Sequence, residues 1–173
     1  MLAEAGYKGE KVLLLSPSDF PSIRQESLVA EAMYKALGMN VELASMDWGT
    51  MIARRNGNSD LPEKGGWSSY CTWWTGLSIA SPAVSLPLWM NGADAKAFWR
   101  PQDAEMLKMR ADWFDAPDLA AQKKLAADMQ RRAMEEVVPF IPLGQYLPPA
   151  AWRSNLKGLL KGPLPVFWNV EKK

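Results

Sequence analysis

The chain has 173 residues, enough for one domain with a real core and too few for two ordinary ones. Twenty basic residues against nineteen acidic ones leave a formal charge of +1, which gives nucleic acid or an anionic membrane no electrostatic hold. There is no histidine and a single cysteine, Cys71, so the usual zinc sets, Ser/His and Cys/His dyads and an intrachain disulfide are all excluded.

The opening "MLAEAG" strings together good helix formers and then a glycine where a left-handed cap would go. It reads as the last turn of a helix, and hence the chain as a fragment of a longer protein with any signal sequence upstream. No basic-then-apolar leader stands at the N-terminus, and apolar runs such as Val12 to Leu15 are far too short to cross a bilayer.

"KVLLLSP", rich in Val and Leu and closed by Pro17, predicts a buried strand. After the loop "SDFPS", the stretch "IRQESLVAEAMYKALG" spaces Ile23, Leu28, Ala32 or Met33, and Leu37 as a helix would, until Gly38 ends it. "NVELASM" alternates like a half-covered strand. Strand, helix, strand with short connections predicts a parallel βαβ unit. Asp47 then precedes "WGTMIARR" as a helix cap.

"NGNSDLPEKGG" is turn chemistry throughout and contains no glycosylation sequon. The next ten residues, "WSSYCTWWTG", hold three of the nine tryptophans. An extended run from Trp67 to Trp74 would put Trp67, Ser69, Cys71 and Trp73 on one face and Ser68, Tyr70, Thr72 and Trp74 on the other. Aromatics on both faces predict a central strand, with Trp67 in the core and Cys71 an inert buried thiol.

Residues 81–100 read as a long irregular loop. A helix is predicted from Gln102 to Phe114, with Met106, Met109, Trp113 and Phe114 near one side. A second opens at "DAPD", where Asp115 caps, Pro117 fits the first turn and Asp118 faces the dipole. Its stripe is Leu119, Ala126, Met129, Ala133 and Val137. The closing segment is short β-like pieces broken by prolines. The fold class is α/β: a small, mostly parallel sheet flanked by helices, with a Pro-rich tail that crosses to something else.

Trp73 and Trp74 come at a strand end, where open α/β sheets hold ligands, and paired indoles offer flat apolar walls. Trp48, at a strand-to-helix turn, makes the same case; a partly buried surface cap is its plainer explanation. Ser18, Asp19 and Ser22 offer polar groups to a ligand, although turn formation explains them equally well. Asp47, Asp60 and Asp94 fall in loops or caps, and no carboxylate pair is marked out by spacing. Binding without turnover is the leading class, and neither a metal nor a cofactor is expected.

Several strings, in this order, resemble the carboxyl-terminal lobe (domain III) of the peptide/nickel-type (family 5) solute-binding proteins of ABC importers. They are "LAEAGYKG", "AEAMYKALGMNVELASMDWGT", "WWTG", the paired helices through "DAPDLAAQKKLAADMQRRAMEEVVPFIPL", and "LKGLLKGPLPVFWNV". The resemblance covers nearly the whole chain, residues 1–173, as one lobe. It implies a periplasmic or lipid-anchored receptor that closes two lobes on a small solute and delivers it to a membrane permease. The partners it implies are an N-terminal lobe of the same chain, the permease and the solute; no nucleic acid is among them.

Mapped onto the family, Trp48 falls on an aromatic facing the ligand cleft, and Trp74 leads into the ligand loop of Thr75, Gly76, Leu77 and Ser78. Peptide-binding members place an Asp directly after the position of Gly76, where this chain has Leu77. Dipeptide binders also carry an Arg after the first strand, and an ungapped match puts Phe20 there. A zwitterionic dipeptide would leave its end charges unpaired in a dry cleft. A neutral or cationic compound, or a sugar stacked on Trp48 and Trp74, fits better. The ligand set expected is Asp19, Phe20, Trp48, Trp73, Trp74, Thr75, Gly76, Leu77 and Ser78. The rivals are an autonomous carbohydrate-stacking module and a carboxylate-dependent hydrolase.

Overall fold

The computed structural model describes residues 1–57, 60–90, 101–162 and 166–173. Asp94 and the last ten residues of the expected 81–100 loop lie outside the described residues, as do Asn58, Ser59 and residues 163–165. The described residues divide into two compact units, 1–73 and 74–90 with 101–173, each described by itself below. No helix among them is long and apolar enough to cross a membrane.

The first unit is built on β1 (Lys11–Pro17), α1 (Pro21–Ala36), β2 (Asn40–Met46), α2 (Trp48–Gly57) and β3 (Ser69–Tyr70). The strands form one parallel sheet in the order β2-β1-β3. Seven residue pairs join β1 to β2, from Lys11 opposite Asn40 to Pro17 opposite Met46. The expected βαβ unit is therefore present.

β1 is buried on both faces, as a central parallel strand must be. Leu13 and Leu15 pack with Met51 of α2 and with Trp67, while Leu14 packs with Ile23 and Ala30 of α1 and with Cys71. Each such leucine side chain contributes about 1.5–3 kcal/mol through removal from water.

α1 turns only Ile23 of the expected stripe inward. Ile23, Ser27 and Ala30 are the buried residues, and Leu28, Met33 and Leu37 are exposed. The buried positions step by four and then three residues, so the face is helical, but it uses small side chains that let the backbone lie close to β1. Ser27 is satisfied within the helix, its Oγ donating to the Ile23 carbonyl at 2.9 Å.

Gly38 ends α1 at a φ of 88°, with the Met39 amide bonded to the Tyr34 carbonyl and the Gly38 amide to that of Lys35. This is a Schellman cap. The same pair of bonds, Tyr7 to Leu2 and Gly6 to Ala3, closes the turn at "MLAEAG" with Gly6 at a φ of 82°. Asp47 caps α2 as predicted, its Oδ1 accepting the Thr50 amide at 3.0 Å.

The expected eight-residue aromatic strand is corrected to two paired residues at an edge of the described sheet. A bend at Ser68 breaks the alternation. Ser68 is held there by Leu13, whose carbonyl accepts the Ser68 amide and whose amide donates to Ser68 Oγ. Consequently Trp67 packs with Tyr70, ring edge to face at 5.3 Å, while Cys71 packs in the cluster on the α1 side. Trp67 is core, as expected, and its Nε1 donates to the Arg55 carbonyl.

In the second unit, α3 (Ala104–Phe114) packs on α4 (Leu119–Glu135). Met90, Met106, Met129 and Ala133 form its buried cluster, with Met109 and Val137 against it. Leu119 and Phe114, both placed in the predicted apolar stripes, are instead exposed. The cap of α4 is corrected from Asp115 to Asp118, whose Oδ1 accepts the Ala121 amide; Asp115 instead ends α3. Pro117 explains the shift, since it disfavours a helical residue before it. A two-stranded antiparallel pair, β4 (Leu156–Lys157) with β5 (Glu171–Lys172), closes the chain.

Asp103 ties the two helices together. Its Oδ1 caps α3 at the Met106 amide, and both carboxylate oxygens accept from the Arg132 guanidinium of α4. The Arg132 hydrogen bonds hold the Asp103 carboxyl below its ordinary range. A depressed carboxyl pKa stabilises the fold above the ordinary Asp range and loses that contribution as pH falls through the lowered value. Asp103→Ala is expected to cost at least the cap, about 1–2 kcal/mol in urea unfolding, and to flatten the acid limb of the stability profile. An unchanged profile below pH 4 would contradict the assignment.

Candidate functional site

The loop after β1 and the turn after β2 leave the same end of a parallel sheet, so both deliver side chains to the carboxyl ends of the strands. There Asp19 joins them: its Oδ1 accepts the Trp48 amide at 2.8 Å. That bond pins the start of α2 to the loop before α1. Pro21, at the first position of α1, has no amide to donate and suits a helix start that no side chain caps.

Phe20 then lies 5.3 Å from Trp48 and 6.2 Å from Trp73, ring centre to ring centre, with tilts of 39° and 47°. Trp48 is half-buried and packs against both hydrophobic clusters of the sheet, so it closes the core at this end instead of standing off it. Phe20 packs against the cluster on the α1 side. Trp73 keeps 42% of its surface exposed, an unusual share for the largest side chain. Two rings are thus fixed by the core and the third is presented outward.

Four of the expected site residues, Asp19, Phe20, Trp48 and Trp73, are brought together. The other five belong to the second unit. Thr75 precedes a single 3-10 turn, Gly76–Ile79, and its Oγ1 shares a 2.6 Å hydrogen bond with Ser78 Oγ. Leu77 is exposed in that turn, and Trp74 is half-buried. This turn carries no carboxylate or basic side chain.

Spacing did not reveal Arg110. Its Nε donates to the Pro82 carbonyl and its Nη2 to that of Ala83, and its guanidinium stacks over Trp89 and Phe114. It fastens the segment that follows the 3-10 turn to α3. The contacts join residues 27 and 28 apart, which leave no local pattern to find. Among the described residues no group of three or more acids or cysteines is arranged to hold a metal ion.

Cys71 lies behind the aromatic group, buried against Leu14, Ile23 and Ala30. Burial pushes its thiol up, partly offset by a hydrogen bond with Ser27, and a protonated thiol is a poor nucleophile. Ellman's reagent at pH 8 should therefore label Cys71 far more slowly in the folded chain than in guanidinium. Equal rates would place the thiol in open solvent.

No family model matches the chain. A curated relative, the probable peptide ABC transporter periplasmic-binding protein y4tO of Sinorhizobium fredii (strain NBRC 101917 / NGR234), is 36% identical over 172 residues. That alignment takes in 99% of this chain and 32% of the relative, so the chain spans about a third of the relative's length. Among solved structures, the dipeptide binding protein from Pseudoalteromonas sp. SM9913 in complex with Met-Leu superposes with a TM-score of 0.66. It is 19% identical, over 99% of this chain and 34% of that one. The unliganded open form of the periplasmic murein tripeptide binding protein MppA gives 0.60, at 22% identity over 80% of this chain and 25% of that one. The two structures share the fold: a mixed α/β body with a small parallel sheet flanked by helices. The resemblance to the family 5 solute-binding proteins read from the sequence is borne out, over about a third of their length.

Proposed function

We propose that this chain is the carboxyl-terminal ligand-binding lobe of an ABC importer's solute-binding protein, periplasmic or lipid-anchored. It closes with the remainder of a longer chain on a small solute and hands that solute to a membrane permease. The observation that carries this reading is the aromatic group of Phe20, Trp48 and Trp73, fixed by Asp19 at the carboxyl ends of parallel strands. That is where open α/β sheets receive ligands.

The length relation supports it: a chain matching a third of its relative presents part of a site. The tail adds to this support. Residues 140–153 form no regular element and expose Ile141, Leu143, Leu147 and Trp152, with Leu147 at 87%. Apolar side chains so far out of contact fit a surface that the rest of a longer protein covers. Binding, not catalysis, is the role assigned, because the site gathers rings and hydrogen-bonded carboxylates without a base–nucleophile pair.

The curated relative is named for peptides, and a peptide-like solute is within this reading. Recognition of a free dipeptide through its two end charges is not. The turn Gly76–Ile79 offers no carboxylate to an amino terminus, and Phe20 offers no cation to a carboxylate. Unpaired charges in a closed cleft are expensive.

Thermal shifts of this chain and of the full-length protein, measured against one panel of peptides, sugars and polyamines, test the reading. A pocket ordinarily covers most of a ligand's surface, so only the full-length protein should shift. An equal shift in the 173-residue chain would make the aromatic group a self-sufficient binding module, and tight binding of free dipeptides would overturn the charge argument.

A further inference from the structure

The aromatic group is bordered by two carboxylates that form no ion pair among the described residues. Asp19 uses Oδ1 for the Trp48 amide, and Asp47, the residue before Trp48, uses Oδ1 for the Thr50 amide. Both are exposed. Hydrogen bonds from Thr50 hold the Asp47 carboxyl below its ordinary range. Some other acids of the described chain form ion pairs with bases, as Glu42 does with Lys11, Glu31 with Lys35, Asp103 with Arg132 and Asp128 with Lys124, while Glu105, Asp115 and Asp118 do not. Neither Asp19 nor Asp47 forms an ion pair among the described residues, and Arg24, one turn beyond Phe20, joins neither.

The rings have the complementary property. An aromatic face carries negative potential and attracts a cation within about 6 Å of the ring centre. Phe20 is tilted 39° against Trp48 and 47° against Trp73, so the three rings do not line up as one flat platform. A sugar stacks best on a flat face. Rings inclined to one another, with carboxylates at their border, suit a compact cationic head with an apolar skin.

We propose, building on the receptor reading above, that the ligand places an organic cation, an alkylammonium or guanidinium group, against Phe20, Trp48 and Trp73 within the field of Asp19 and Asp47. Ring faces receive its carbon-bound hydrogens and the carboxylates balance its charge. An anionic group is disfavoured there twice, by the ring faces and by the two acids.

The test uses the full-length protein and matched probes by isothermal titration: choline against its neutral carbon isostere 3,3-dimethylbutan-1-ol, agmatine against pentan-1-ol, and glucose as the sugar arm. At least one cation should bind about 5- to 30-fold tighter than its isostere. Asp19→Asn keeps an oxygen for the Trp48 amide, and it should erase most of that preference by weakening the cation far more than its isostere. Trp73→Leu, at an exposed position, should weaken the cation in the same way.

If the protein binds glucose or a peptide while cations gain nothing over their isosteres, the cation assignment falls and the receptor reading stands. If no solute of the wider panel binds the full-length protein, the receptor reading itself falls and takes this one with it. A cation preference that survives Asp19→Asn and Trp73→Leu intact would put the cation elsewhere and overturn the placement.

Discussion

The first unit depends on one strand being buried from both sides. β1 spends Leu13 and Leu15 on the α2 face and Leu14 on the α1 face, and its backbone is shared between β2 and β3. A strand so enclosed fixes the direction of its neighbours, because parallel pairing along all seven residues of β1 leaves β2 no freedom of register. Both chain exits, at Pro17 and Met46, then fall at the same end of the sheet. Asp19, Phe20 and Trp48 meet for that reason.

The aromatic group is therefore a by-product of core geometry and needs little structure of its own. Trp48 touches both hydrophobic clusters, and Phe20 touches one, so two of the three rings are held by contacts that the fold already makes. In the proposed receptor role such rigidity helps, since rings that are already in place lose little freedom when a ligand arrives. Asp19 contributes the remaining constraint through a single backbone hydrogen bond that spans 29 residues.

Legibility in the sequence followed the range of the interactions. β1, β2, the Asp47 cap and the Gly38 stop were readable because each is a local pattern of apolar run, cap or left-handed glycine. The family resemblance pointed to Trp48 and the strand-end rule to Trp73 as expected ligand-facing residues, and the structure places both beside Phe20. The eight-residue aromatic strand failed because composition says nothing of the bend at Ser68, which two hydrogen bonds to Leu13 impose from 55 residues away. The inward face of α1 was misread for a related reason. Close approach of helix to sheet favours Ser27 and Ala30 over Leu28 and Met33, a choice made by tertiary packing and invisible to hydrophobic periodicity. Arg110 and the Asp103–Arg132 pair are long-range side-chain contacts with no trace in spacing.

Hydrogen exchange on the full-length protein, with and without whichever solute produces a thermal shift, tests the central claim most directly. Peptides covering residues 18–21, 47–50 and 72–74 should gain protection on binding, while those from the α3–α4 pair should change little. Protection confined to other segments, with these three unaltered, would mean that the carboxyl end of this sheet is not where the solute is held.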